Sequence, residues 1–238
     1  MLKVSQAARI SARPPPTLPA PPLGHKMEKA YLCNQVKEHR NVMPTVLYIH
    51  GFASAGSSGT AITLRNMLYP HGVQVISPDV PTSPLRAQQM LRDLVGETCP
   101  DLIVGTSMGG MYAELLHGIP RILVNPSFHM ARTITFHGTG RMEFYNKRED
   151  GARDFKVDKD MIQEFRQVEK DSFQGITAQE KQLVWGIFGS RDKVVNCQAD
   201  FRKHYDPGHM TLFDGGHQLN DHVLSHELMP LVNRLLHL

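Results

Sequence analysis

The segment Asp101–Leu116 constrains the fold of this chain more than any other. Leu102–Val104 is a short run of branched apolar residues, typical of a strand buried on both faces, and residues 111–116 have the pattern of a helix. Between them lies Gly-Thr-Ser-Met-Gly, a GxSxG motif centred on Ser107. Glycines two residues before and after a serine indicate a tight strand-to-helix turn, in which a Cβ atom would collide with neighbouring backbone. Such a turn exposes the serine hydroxyl beside the first N–H groups of the helix. The alternative is a glycine-rich turn that only needs small residues.

The rest of the chain alternates short apolar strands with amphipathic helices. Helices are predicted over about residues 60–68, from Pro84 with Ser83 as N-cap, and over about residues 197–204 and 221–236. Strands separated by helices pair in parallel through right-handed crossovers. The predicted fold class is therefore α/β, a three-layer α/β/α sandwich with a mostly parallel sheet. Its other strands are predicted at Thr45–Ile49, Val73–Ser77, Arg121–Asn125, Gln182–Phe188 and His209–Phe213.

Residues 127–181 interrupt this alternation. The segment has several aromatic residues but no convincing strand, and its one clear amphipathic helix begins at Asp158 as N-cap. Thr177 and Glu180 have the spacing of a capping box and predict one more short helix. An insertion that leaves directly after the carboxyl end of a strand lies over the crevice in which α/β proteins bind ligands. We therefore expect a helical cap insertion over about residues 127–181; the alternative is a peripheral packing element.

The first 26 residues differ in composition from the rest. They hold six of the sixteen prolines and no acidic residue, so we expect residues 1–26 to be disordered and residues 27–238 to form a single domain. Since the whole chain carries a formal charge of +3 and this segment +4, the remainder carries −1, which disfavours a nucleic-acid partner. No apolar run reaches the ~20 residues of a membrane-spanning helix, so no membrane span is expected. Three scattered cysteines without a CxxC motif favour a reduced, cytoplasmic setting.

Two further loops offer the partners that a nucleophilic serine needs. A serine hydroxyl requires a base to take its proton, and the base requires a carboxylate that holds its tautomer. Asp192 follows the strand that ends near Phe188, and His217 follows the strand that ends near Phe213. The carboxyl ends of parallel strands meet at one edge of a sheet, and the order Ser, Asp, His is the one that this architecture uses. The predicted catalytic residues are therefore Ser107, Asp192 and His217.

The oxyanion formed during acyl transfer needs two N–H donors. The N–H of Met108, which follows the serine, is the first predicted donor. The second is the N–H of Phe52, in the loop of small residues after the first strand, where Gly51 allows the backbone to bend inward. His50 is interpreted as a packing and hydrogen-bonding residue of this loop and not as a proton carrier.

Four motifs together resemble the α/β-hydrolase superfamily, and most closely its small bacterial YqiA/YcfP-like esterase group. The resemblance covers roughly residues 44–238, with the segment 127–181 as a departure from the pattern. It implies a Ser107 nucleophile, a His217 base, an orienting Asp192, and a carboxylic-ester or thioester substrate. The motifs are Tyr48–Phe52 (YIHGF), Gly105–Gly109 (GTSMG), Gly189–Asp192 (GSRD) and Gly215–His217 (GGH).

Other polar residues near the motifs are given secondary roles. Asp79 is interpreted as a loop-forming residue, because as the triad acid it would break the order Ser, Asp, His. The thirteen histidines include no HExxH motif, and only His222 and His226 are spaced i, i+4 on a predicted helix, where a solvated face is expected. We therefore expect neither a metal nor a cofactor. The residues predicted to contact the substrate are His50, Gly51, Asn125, Phe128 and Phe144.

The leading hypothesis is a serine hydrolase that cleaves small acyl esters or thioesters through an acyl-enzyme. A second hypothesis is acyl transfer to an acceptor other than water, which would use the same residues. A third is a non-catalytic protein that retains the fold to bind a ligand or partner. The joint presence of all three triad residues and both oxyanion donors favours the enzymatic hypotheses.

Overall fold

A six-stranded parallel sheet forms the centre of the computed structural model, which describes residues 43–238. The expectations for residues 1–26 and for a domain start at residue 27 lie outside these described residues. In chain order the strands are β1 (Thr45–Ile49), β2 (Gln74–Ile76), β3 (Leu102–Thr106), β4 (Arg121–Val124), β5 (Gly140–Glu143), β6 (Asp154–Val157), β7 (Val184–Gly189) and β8 (Met210–Phe213). The central sheet has the order β2-β1-β3-β4-β7-β8, and β5 and β6 form a separate pair. Since β1 and β3 are parallel neighbours in this sheet, the loops that follow them leave the same edge side by side.

Helices cover both faces of the central sheet, and none of them in the described part is long and apolar enough to cross a membrane. Alternate residues of β3 point to opposite faces, with Ile103 on one side and Val104 on the other. The helices are α1 (Gly59–Leu68), α2 (Pro84–Thr98), α3 (Met108–Glu114), α4 (Met130–His137), α5 (Lys159–Glu169), α6 (Ala178–Lys181), α7 (Gln198–His204), α8 (Asp221–Val223) and α9 (Met229–Leu236), with a π-helical turn Leu224–Leu228 before α9. The first face packs against α2, α3 and α7, and the second against α1, α8 and α9, so the predicted three-layer α/β/α sandwich is confirmed.

The segment 127–181, called the cap segment below, is not purely helical, so that part of the prediction was wrong. It contains α4, α5 and α6 together with the antiparallel strands β5 and β6, whose register pairs Met142 with Phe155. Most of β5 is exposed, so its sequence lacks the apolar alternation that marks a half-buried strand. The strand conformation of β5 depends on its pairing with β6, and the sequence of β5 alone does not predict this pairing.

Side-chain caps begin two helices of the cap segment as predicted. The Asp158 carboxylate accepts a hydrogen bond from the Met161 N–H at 3.0 Å and starts α5, which buries Phe165 against the first sheet face. The Thr177 hydroxyl accepts from the Glu180 N–H at 3.1 Å and starts α6. The Glu180 carboxylate instead forms a buried ion pair with Arg121 of β4, which joins the cap segment to the sheet.

Candidate active site

Ser107 occupies a strained turn between β3 and α3. Its backbone angles are φ 54° and ψ −118°, a conformation that residues with a side chain rarely adopt. A Cβ added to Gly105 would lie 2.2 Å from the Gly109 carbonyl oxygen, and one added to Gly109 would lie 2.0 Å from the Ile49 carbonyl oxygen. Both glycines are therefore required by backbone contacts, as the motif predicted, and the turn presents the serine side chain at the carboxyl edge of the sheet.

His217 and Asp192 complete a chain of hydrogen bonds that ends on this serine. His217 Nε2 lies 2.9 Å from Ser107 Oγ, and His217 Nδ1 lies 2.7 Å from Asp192 Oδ2. An ionised carboxylate only accepts hydrogen bonds, so Nδ1 carries the proton and Nε2 is left to accept the serine proton. The structure thus brings together the three residues that the sequence singled out, at distances suited to proton transfer.

The surroundings of Asp192 favour its charged form. Burial raises the pKa of Asp192, but hydrogen bonds from His217 and from the backbone N–H groups of Val195 and Val194 outweigh it, so the pKa lies below its ordinary value. The backbone bonds are 3.1 and 2.8 Å long. Asp192 is therefore held in place from two sides, with one carboxylate oxygen facing the loop backbone and the other facing the imidazole.

Asn125 joins the loops that carry Asp192 and His217. Its side-chain oxygen accepts from the Gly189 N–H at 2.7 Å, and its amide nitrogen donates to the carbonyls of Gly216 and His217 at 3.1 and 2.9 Å. The residue is 2% exposed and has φ 44°, a value that asparagine tolerates better than most residues. Asn125 is predicted to contact substrate, whereas in the structure it does not line the cleft around Ser107 and instead holds the two loops together behind the site, as a clamp. The sequence feature that could have indicated this role is the position of Asn125, directly after a buried strand and before Pro126.

The residues whose N–H groups are predicted to bind the oxyanion lie in two backbone segments beside the serine. Met108 is the first residue of α3, so its N–H has no acceptor four residues earlier in the helix. Gly51 packs against the serine, since a Cβ added there would lie 3.4 Å from the Ser107 Cβ atom. The loop that holds Phe52 therefore passes beside the hydroxyl, and both Gly51 and Phe52 line the same cleft as Ser107.

Three other residues expected to contact substrate do not line this cleft. His50 is buried, with Nδ1 2.8 Å from the Gly51 carbonyl and Nε2 3.0 Å from the Val80 nitrogen. Both ring nitrogens are occupied within the loop, and burial lowers the pKa of His50, so it remains neutral. Phe128 is 1% exposed and packs edge-on against Phe173 in the core. Phe144 stacks near Phe155 inside the cap segment, beneath the Arg148 guanidinium.

The remaining acidic and histidine residues near the motifs are engaged elsewhere. Asp79 accepts from the Gly56 N–H at 2.8 Å and from the Glu149 N–H at 2.7 Å, which ties the loop after β1 to the cap segment. Asp214 is exposed and paired with Arg191 at 3.0 Å. The rings of His222 and His226 stack on each other at 4.2 Å on an exposed face.

The serine and histidine open into one cleft of about 950 Å³. Its walls come from the loop after β1, the first turns of α1, the cap segment and the loop that follows His217. A cavity of this size is in the range that accommodates small organic ligands. Since Met130, Ile134 and Met142 are among the lining residues, the cap segment forms part of the wall.

One group of side chains in the described part of the chain has the spacing of metal ligands. The ligand atoms of His129, Cys197 and Asp200 all lie within 4.8 Å of one another. Sequence spacing missed this group because His129 is distant in the chain from the other two. His129 Nε2 already contacts Asp200 at 3.1 Å, and burial raises the pKa of the Cys197 thiol to about 11, which keeps it protonated at neutral pH. These features fit a hydrogen-bonded pair of side chains beside a buried thiol, and we assign no metal to them.

Comparisons with known proteins show the family and the fold of this chain. A family model described as "Uncharacterised protein family (UPF0227)" matches residues 45–235. A solved protein from Agrobacterium vitis S4 superposes with a TM-score of 0.59 at 15% identity, over 81% of this chain and 88% of that one. Est1E from Butyrivibrio proteoclasticus gives 0.57 at 18% identity, over 85% and 92%. Mouse alpha/beta hydrolase domain-containing protein 10 gives 0.56 at 13% identity, over 82% and 90%. The α/β-hydrolase fold predicted from the four motifs is confirmed.

Proposed function

The chain belongs to Uncharacterised protein family (UPF0227) and has the α/β-hydrolase fold, and on this basis we propose that it is a serine hydrolase that cleaves carboxylic esters or thioesters of small acyl substrates. The observation that carries the proposal is the chain of contacts from Asp192 through His217 to Ser107, at 2.7 and 2.9 Å. Such a chain activates a hydroxyl that is otherwise a poor nucleophile. A non-catalytic binding protein would have no need of this alignment.

The proposed reaction begins with attack of Ser107 Oγ on the ester carbonyl carbon, while His217 Nε2 takes the serine proton. The N–H groups of Met108 and Phe52 stabilise the negative oxygen that develops. The ester C–O bond then breaks, and the proton on His217 passes to the leaving alcohol oxygen. Water, activated by the same histidine, cleaves the acyl–Ser107 bond and releases the acid. Asp192 keeps Nδ1 protonated and stabilises the transient imidazolium.

Fluorophosphonate labelling tests the proposal, because this reagent reacts with an activated serine beside an oxyanion hole. We expect one adduct on Ser107, located by peptide mass mapping, together with turnover of p-nitrophenyl esters. Ser107→Ala is expected to abolish the adduct and to lower ester turnover by up to about 10⁶-fold while circular dichroism stays unchanged. A folded wild-type protein that takes up no label and turns over no ester would overturn the proposal.

A further inference from the structure

The cleft around Ser107 extends to both faces of the central sheet. On one side lie Met130, Ile134, Met142 and Val157, which all pack with the core of the first face and are called the apolar arm. On the other side lie residues of β1, β3 and the α1 region together with Asp221, and these are called the hydroxyl arm. The hydroxyl arm consists of Tyr48, Ser58, Thr60, Thr63, Thr106 and Asp221.

Side-chain hydroxyls dominate the hydroxyl arm. Tyr48 packs with the core of the second face, and its hydroxyl lies 3.0 Å from Thr106 Oγ1. At the far end Thr63 Oγ1 lies 3.5 Å from an Asp221 carboxylate oxygen. Each hydroxyl can donate one hydrogen bond and accept two, so this cluster has unused capacity toward a ligand.

The charge of the hydroxyl arm limits the ligands that it can accept. Asp221 is the single charged side chain of this arm. Arg141, the arginine that lines the cleft in the described part of the chain, is next to Met142 of the apolar arm in sequence and is paired with Asp154 at 2.8 Å. A phosphate or carboxylate bound there would lie beside the exposed Asp221 carboxylate with no cation of this arm to compensate it, and repulsion between like charges disfavours such a ligand. The arm is therefore suited to a neutral group that carries hydroxyls, which can donate to Asp221 and exchange hydrogen bonds with Thr63.

The position of His217 decides which part of an ester enters which arm. His217 Nε2 must protonate the leaving oxygen, so the alcohol lies on the histidine side of the serine. Leu219, which follows His217, packs with the second-face core that adjoins the hydroxyl arm. The donor loop residue Phe52 instead packs edge-on against Phe155 and Phe165 of the cap segment. The acyl chain therefore extends into the apolar arm and the alcohol into the hydroxyl arm.

We propose that the substrate is an ester of an apolar acyl acid with a neutral alcohol that carries additional hydroxyl groups. This inference rests on the proposed serine hydrolase function and narrows it from esters or thioesters in general. The bond between the acyl carbon and the alcohol oxygen breaks, the acyl carbon bonds to Ser107 Oγ, and the serine proton reaches the alcohol oxygen through His217. The proposal disfavours alcohols that carry a phosphate or carboxylate close to the ester bond.

A matched pair of substrates tests the alcohol preference with the full-length protein. 1-Monooctanoylglycerol and propyl octanoate share the acyl chain and the three-carbon alcohol skeleton and differ by two hydroxyl groups. We expect kcat/KM to be about tenfold or more higher for the glycerol ester, from two added hydrogen bonds. Octanoyl-CoA is expected to be a poorer substrate than the glycerol ester. Fluorophosphonate labelling of Ser107 in the same sample reports separately whether the serine is activated.

Variants assign each preference to an arm. Thr63→Val removes one hydroxyl without changing the shape of the side chain, and it should lower the glycerol-to-propyl ratio about threefold to fivefold. Thr133→Val is the matched control, because Thr133 lines the cleft beside the apolar arm and its hydroxyl already bonds the His129 carbonyl at 3.1 Å. Met142→Trp fills the apolar arm and should lower the ratio of p-nitrophenyl octanoate to p-nitrophenyl acetate turnover, without changing the glycerol-to-propyl ratio.

The possible outcomes separate the two proposals. A preference for the glycerol ester that Thr63→Val weakens and Thr133→Val leaves unchanged supports the assignment of the arms. Equal turnover of the two octanoate esters, or faster turnover of octanoyl-CoA, with Ser107 labelled, would overturn this inference and leave the serine hydrolase function standing. Absence of both label and ester turnover would instead overturn the proposed function itself.

Discussion

Replacing Asn125 with glycine tests whether the clamp between the two catalytic loops positions His217. Glycine adopts φ 44° without strain, so the change removes three side-chain hydrogen bonds and little else. The Gly189 N–H, which is buried, loses its acceptor, at about 1–3 kcal/mol, and the two weaker bonds add to this loss. We expect the free energy of unfolding to fall by about 2–4 kcal/mol.

The catalytic effect should exceed what the loss of stability explains. Backbone bonds from Ser190 to Phe213 and from Arg191 to Gly215 still join the loops, so the fold should persist while the imidazole gains freedom. A displacement of about 1 Å in a reacting group lowers rates by roughly 10²-fold. We therefore expect kcat for p-nitrophenyl butyrate to fall by about 10²-fold with KM nearly unchanged, because Asn125 does not line the cleft.

The assay combines urea denaturation, steady-state kinetics and the rate of fluorophosphonate labelling on the same preparations. Labelling should slow in parallel with kcat, which a purely structural role would not produce. Asn220→Gly is the matched control. The Asn220 side chain caps α8 by accepting a hydrogen bond from the Val223 N–H at 2.9 Å, whereas the Asn125 side chain bonds the backbone of Gly189, Gly216 and His217. An Asn125→Gly protein that is folded and retains wild-type kcat and labelling rate would refute the clamp.

Three further predictions concern individual side chains. His217→Ala and Asp192→Ala should each lower kcat by about 10⁴-fold or more, with the smaller loss for Asp192→Ala. His222 is exposed, so kcat of His222→Ala should stay within about tenfold of the wild-type value. Steady-state kinetics in which His222→Ala lost activity and His217→Ala kept it would contradict the assignment. Burial raises the pKa of Glu114 above its ordinary value of 4.5. The wild-type protein should therefore lose stability relative to Glu114→Gln as the pH rises from 4.5 through the higher pKa of the folded state. A difference in melting temperature between the two proteins that stays constant from pH 4 to pH 8 would refute this. Cys197 is 4% exposed and burial raises its pKa to about 11, so iodoacetamide at pH 8 should alkylate it only after denaturation. Mass spectrometry would detect the adduct, and rapid alkylation of Cys197 in the folded protein would contradict this prediction.

Local sequence was sufficient to predict the layered fold and to single out the three side chains that meet at the serine. Branched apolar runs indicate strands buried on both faces, and such strands pair in parallel when helices separate them. Ser107, Asp192 and His217 could be identified because each follows such a strand, and the carboxyl ends of parallel strands share one edge. The need for glycine at positions 105 and 109 could also be predicted from the sequence, because the steric limits of a tight turn act over a few residues.

Tertiary structure decided what depends on partners distant in the chain. The pairing of β5 with β6 and the buried contact of Glu180 with Arg121 have no local pattern, because each becomes favourable only when its partner is present. The same applies to Asn125, whose amide is useful only where two loops about 65 and 90 residues further along the chain come within hydrogen-bond distance of it. Residue types alone predicted Phe128 and Phe144 as cleft residues, but the ring of Phe128 is buried in the core and that of Phe144 packs against Phe155 in the cap segment. The two arms of the cleft likewise exist only in the folded chain, because the sheet separates the side chains of its two faces.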